Sequence, residues 1–266
     1  MANIMTQVTK SSDASLQKKY RNGRFPLLKQ YVGSFIRIKS GQVEYGNDSI
    51  PFESPVGRVR ITEFACNQHL VSVGLWREFS ASELRPMPEP PSWGWQEFDP
   101  IVNVSLKDVV QFTDWVYKTT NIETRLPSEF EWEYIAKSGL NKDADQYWQD
   151  LYVKHLGPDI LDPDVSTLRI NRNSNHMRSP TGVCDLFGNV LQWTLSIRRK
   201  HDHIDPRIIV PRKHQIGYWH YIVRGSSWRD RQRDDLDAIR CSRRQAFSFD
   251  TRDLEVGFRL CKLGAK

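Results

Sequence analysis

Apolar and polar residues first alternate with a period of two. Phe35-Ile36-Arg37-Ile38 predicts a half-buried strand, with Gly41 in the turn after it. A second alternation from Val56 to Phe64 places Val59 and Ile61 on one face, with Phe64 extending it. The period then changes to that of a helix. Ser72 can cap a helix carrying Leu75, Trp76 and Phe79 on one side. Ser105 with Asp108 starts another, in which Val109, Phe112 and Val116 recur at helical spacing. Ser128 with Glu131 opens a third, burying Trp132, Ile135 and Ala136, with Lys137 in its last turn and Gly139 placed to end it in a left-handed conformation. Residues 85–100 hold five prolines and predict a loop. Residues 140–180 and 198–220 show few helical periods and read as irregular.

The first 30 residues are polar and then basic, with Pro26 breaking the run, and predict a disordered start followed by a short helix or arm. No repeat and no Gly/Ser linker divides the remainder, so the expected organisation is an extension over 1–30 and one domain over 31–266. Hydrophobic content of 39% and charged content of 26% are those of a globular protein. With no apolar leader and no long apolar run, the expected location is the cytoplasm, without a membrane partner. The net charge of +6 is spread among interspersed acids and bases, and no nucleic-acid-binding motif accompanies it. Four scattered cysteines (Cys66, Cys184, Cys241, Cys261) form no metal or redox spacing and are expected to be buried and structural.

Five segments then occur in a telling order. They are Leu70 to Phe79, Pro100-Ile-Val-Asn-Val-Ser105 with Phe112 and Trp115, RLPSEFEWEYIAKSG at 125–139, GVCDLFGNVLQWT at 182–194, and RGSSW at 224 with GFRL at 257. Together they resemble the formylglycine-generating (sulfatase-modifying) enzyme family over roughly residues 35–262. The resemblance implies an α+β, C-type-lectin-like domain with much irregular structure. It implies chemistry as well: in the family's enzymes two copper-holding cysteines lie shortly after the RGGS-type turn. Here that stretch, Arg229 to Asp235, contains no cysteine. Copper(I) needs soft thiolates, so the expectation is a member without catalysis and without a redox cofactor. Calcium stays open: the family's glutamate in the GNVWEW turn is Gln192 here, while Asp185 and Asn189 remain.

What remains is recognition. Trp228, Arg229, Arg231, Arg233, Asp234, Asp235, Arg243, Phe247 and Phe249 combine arginine and aromatic residues on the stretch that lines the family's ligand face, and Trp93 and Trp95 sit in a proline-stiffened loop. An equally simple reading makes the same residues an ion-paired face with its aromatics in the core. The leading expectation is a protein that binds and inhibits another protein, in the manner of a bacterial immunity protein against a secreted toxin. Two alternatives stand beside it. One is a metal enzyme using His201, His203, His214 and His220. The other is a retroelement-diversified recognition module, disfavoured because residues 228–249 lack asparagine.

Overall fold

The computed structural model describes residues 24–140, 143–156, 167, 177–198, 219–233 and 235–264. Along the chain run α1 (Pro26–Gly33), β1 (Phe35–Ile38), β2 (Gly41–Tyr45), β3 (Gly57–Ile61), β4 (Phe64–Asn67) and α2 (Val73–Ser82). Then come α3 (Leu106–Thr120), α4 (Glu129–Lys137), α5 (Ala144–Leu156), β5 (Leu191–Arg198) and β6 (His220–Arg224). The short α6 (Trp228–Gln232), a 3₁₀ turn (Leu236–Ala238), β7 (Arg244–Ser248), β8 (Val256–Gly257) and β9 (Cys261–Leu263) complete the order.

The strands form a three-stranded sheet β1-β4-β9, a hairpin β2-β3 and a four-stranded sheet β7-β6-β5-β8. Only the β5–β8 pairing is parallel among these. The α+β class read from the sequence is thus observed. Regular elements are short, and large aromatic side chains supply the buried area instead, each contributing about 150–250 Å². One cluster gathers Trp76, Phe79, Phe112, Trp115, Trp193 and Phe258 between α2, α3 and the four-stranded sheet. A second gathers Phe64, Trp132, Ile135, Trp148, Tyr152 and Phe187 around α4 and α5.

The three capped helices are as the sequence predicts. The Ser72 side chain accepts from the Leu75 amide, and both Ser105/Asp108 and Ser128/Glu131 close complete capping boxes. Gly139 takes a φ of 78° just beyond α4. The short helix expected near the start is present, and Pro26 opens it as α1 at the first turn, where a missing N–H costs nothing. Four other local expectations need correction. The expected boundary at residue 30 falls inside that helix, whose Leu28 and Tyr31 are buried. The buried Glu78 carboxylate anchors it, accepting from the Leu27 and Leu28 amides at 3.0 and 2.9 Å, so a negative charge meets the positive end of the helix. Gly41 is not a turn residue: it pairs with Ile61 as the first residue of β2, with the Tyr134 ring where a Cβ would stand. Phe64 belongs to a separate strand from Val59 and Ile61. Finally, α5 fills part of the span read as irregular, held by Trp148 and Tyr152 one turn apart.

Candidate functional site

The motif segments converge on one buried side chain, Gln192 at the start of β5. Its Nε2 donates to the Asp185 carbonyl at 2.8 Å, and its Oε1 accepts from Trp132 Nε1 at 3.1 Å and Arg259 Nε at 2.7 Å. The remaining nitrogens of Arg259 donate to the carbonyls of Asn67, Gln68, Cys184 and Asp185 at 2.5 to 3.3 Å. A fully buried guanidinium thus sits in a cage of backbone oxygens, which supply the partners that its burial demands. Gly225 closes the same centre with φ 95°. A Cβ there would lie 2.5 Å from the Leu186 carbonyl oxygen, so only glycine fits.

From Gly225 the chain runs into α6. The Gly188 amide donates to Ser226 Oγ at 2.8 Å, and the Trp228 amide to the Asn189 carbonyl at 2.8 Å. The Ser227 amide donates to Asp230 Oδ2 at 2.7 Å, and Ser227 Oγ donates to Glu255 Oε2 at 2.6 Å. Asp230 is gripped from the other side by both ends of the Arg243 guanidinium, at 2.8 and 3.1 Å. Burial works against its charge, but Arg243 and Ser227 outweigh burial and hold the carboxyl below its ordinary range. A carboxyl lowered on folding lends stability above its ordinary pKa and withdraws it as pH falls through the folded value. Asp230→Asn is therefore expected to cost about 1–3 kcal/mol at neutral pH. That difference from the parent should shrink progressively below about pH 4, as denaturant titrations at several pH values would show.

Outside this ion pair lies an aromatic step. Trp93, from the proline loop, meets Trp228 edge to face with ring centroids 5.1 Å apart. Trp228 itself is buried, its Nε1 donating to the Leu254 carbonyl at 3.0 Å. The exposed Arg229 guanidinium sits 5.2 Å from the Trp228 ring centre and 3.1 Å from Glu255. Trp93 is half-buried, and Phe98 and Leu236 stand exposed on the flanking loop and turn.

The sequence candidates therefore divide. Two that seemed separate edges, the proline loop and the turn after Gly225, meet at Trp93 and Trp228. Arg229 and Arg233 are exposed, and Asp235 caps the 3₁₀ turn through the Ala238 amide. Arg243 is tied to Asp230, Phe247 packs against Trp193, and Phe249 against Tyr221. Trp95 packs against both the main core and a small cluster of Leu70, Val102 and Val190. The ion-paired reading thus describes Arg243, Phe247 and Phe249, and the binding reading suits Trp93 and Arg229. Asp234 lies outside the described residues, as do His201, His203 and His214; Arg231 is described only as part of the α6 backbone, and His220 is exposed in β6. The sequence offered no sign of Gln192 and Arg259 as the hub, because their contacts join segments up to 192 residues apart.

The fold is the one the resemblance implied, and the sulfatase-modifying factor enzyme 1-like domain matches residues 25–263. The chain belongs to that family. A curated relative from Bos taurus, "Inactive C-alpha-formylglycine-generating enzyme 2", is 29% identical over 178 residues, covering 62% of this chain and 50% of that protein. The chain thus spans about half the length of the curated relative it matches. Among solved structures, Treponema denticola variable protein 1 superposes with a TM-score of 0.62 at 17% identity, over 86% of this chain and 95% of that one. PvdO from Pseudomonas aeruginosa gives 0.61 at 20% identity, over 86% and 94%. Both likenesses are of fold.

Within this family a calcium ion and a copper-bound cysteine pair are the groups to test against the residues present. Of the calcium donors, the Gln192 oxygen and the Asp185 carbonyl already accept from Arg259, whereas Asp185 Oδ2 is buried without a hydrogen-bond partner. The copper donors do not fit. Four buried cysteines remain, none within the α6 turn, and burial and the nearby Asp145 push the Cys241 thiol far up. Among the described residues no group of three or more His, Cys, Asp and Glu is placed to hold a metal ion, and no helix is long and apolar enough to cross a membrane.

Proposed function

We propose that this member of the sulfatase-modifying factor enzyme 1-like family is non-catalytic and binds another protein through the Trp93–Trp228 step. In the form we favour it blocks that partner, as a cytoplasmic immunity protein blocks a secreted toxin. One observation carries the reading: the turn after Gly225 has no cysteine and instead builds a rigid aromatic edge with an exposed arginine. Its hydrogen bonds and ion pairs fix the edge before any partner arrives, so little conformational freedom is lost on docking. Tryptophan and arginine are the residues that most often dominate interface energetics. The relative named as inactive supports the loss of chemistry, since it shares this fold family.

The test is capture from the native host with the full chain. A stoichiometric protein partner should be recovered whose toxicity the chain suppresses, and Trp93→Ala with Arg229→Glu should weaken that capture at least about tenfold, as expected for hot-spot residues. Recovery of no such partner, or conversion of a thiol-bearing peptide to an aldehyde by the purified chain, would overturn the proposal.

A further inference from the structure

Cys66 and Cys261 are directly opposite each other in neighbouring antiparallel strands, β4 and β9. The backbone hydrogen bonds define what kind of pair this is. The Cys261 amide and carbonyl both point away from β4 and bond Arg125 on the other side, while the Asn67 amide reaches across to the Leu260 carbonyl. Residues that face each other without exchanging backbone bonds form the narrow type of pair, with Cα atoms about 4.5 Å apart and side chains drawn together. That spacing lies within the range a disulfide spans. The Cys66 thiol also donates weakly to the Asn67 carbonyl at 3.6 Å. Cys184 and Cys241 lie on other elements, outside any strand.

We propose that Cys66 and Cys261 are a reversible oxidation site, closing into a cross-strand disulfide by exchange with a small-molecule disulfide such as oxidised glutathione. Burial works to raise both thiols, and the Arg259 charge works to lower Cys66. The groups facing the pair are the Arg259 and Arg125 guanidiniums and the Glu131 carboxylate.

One of the two cysteines, as its thiolate, attacks one sulfur of the oxidant, whose S–S bond breaks and releases a first small thiol. The other then gives up its proton, attacks the sulfur of the first, and expels the second small thiol. Two protein thiols become one disulfide, and two electrons and two protons end on the two released thiols. Both cysteines are fully buried, so the exchange waits on opening of β9, a strand of three residues at the edge of its sheet. Closure ties β4, near the start of the domain, to the segment that ends it.

The full folded chain, incubated with oxidised glutathione and then alkylated without denaturant or reductant, should fall from four titratable thiols to two after unfolding. Digestion should yield one linked pair of peptides containing Cys66 and Cys261, and dithiothreitol should restore all four thiols. Cys261→Ser should stop at a mixed disulfide of Cys66 with glutathione. If that variant does not fold, the mapping of the parent chain decides alone. The inference is overturned if native-state oxidation leaves both cysteines alkylated, if the linkage involves Cys184 or Cys241, or if the disulfide forms only in denaturant.

Discussion

Arg259→Met is expected to unfold the chain, or to lower its stability by about 4 kcal/mol or more. The guanidinium bonds five acceptors: Gln192 Oε1 and the carbonyls of Asn67, Gln68, Cys184 and Asp185. A methionine fills similar volume but donates nothing, so several buried oxygens lose a charge-assisted partner together. Arg259→Lys should recover little. An ammonium carries the charge but lacks the planar fork that reaches acceptors on three sides. Urea unfolding monitored by near-ultraviolet circular dichroism would measure the loss. Arg37→Ala serves as the contrast, since its pair with Glu63 is open to solvent and is expected to shift the midpoint little. If Arg259→Met and Arg37→Ala shifted the midpoint equally, the cage would not be the centre of the fold.

The second large effect belongs to Arg224, the arginine that opens the RGSSW segment. It donates to Glu133 Oε2 at 2.6 Å and to the Cys241 and Ser242 carbonyls at 2.6 and 2.9 Å, with its guanidinium over the Trp132 ring. Glu129 lies 3.8 Å away and is paired with Arg244 at 2.7 Å. Burial pushes Glu129 up, which marks how little water reaches this group. Removing Arg224 takes the donor from Glu133 Oε2 and from the Cys241 and Ser242 carbonyls, although Lys137 still pairs with Glu133 Oε1 at 2.7 Å, so Arg224→Met should cost about 3 kcal/mol. Arg224→Met combined with Glu133→Gln should cost clearly less than the sum of the two single changes, because their shared ion pair is lost only once. Strict additivity in that double-mutant cycle would show that the two residues do not act as a pair.

These two arginines also explain what was legible in the sequence. The segments carrying Arg224, Gly225 and Arg259 could be recognised because the buried centre demands those residue types, two arginines with buried acceptors and a glycine where no Cβ fits. Capping boxes were legible for a local reason: donor and acceptor lie three residues apart. The α5 helix was not, since among its described side chains only Trp148 and Tyr152 are large and fully buried and the other positions are mixed. The opening of α1 was hidden because its capping carboxylate, Glu78, comes from about 50 residues away. The contact of Trp93 with Trp228 and that of Cys66 with Cys261 join distant segments through topology, which spacing along the chain does not encode.

The sheet β1-β4-β9 has a consequence for synthesis. Its middle strand takes one neighbour from close to the domain's start and the other from its last residues, and Arg259 enters the cage from that same final segment. While the ribosome is still translating, the nascent polypeptide therefore has an open sheet edge and a ring of carbonyls with no cation to bind. Folding of the domain must then wait until this last segment has left the ribosome.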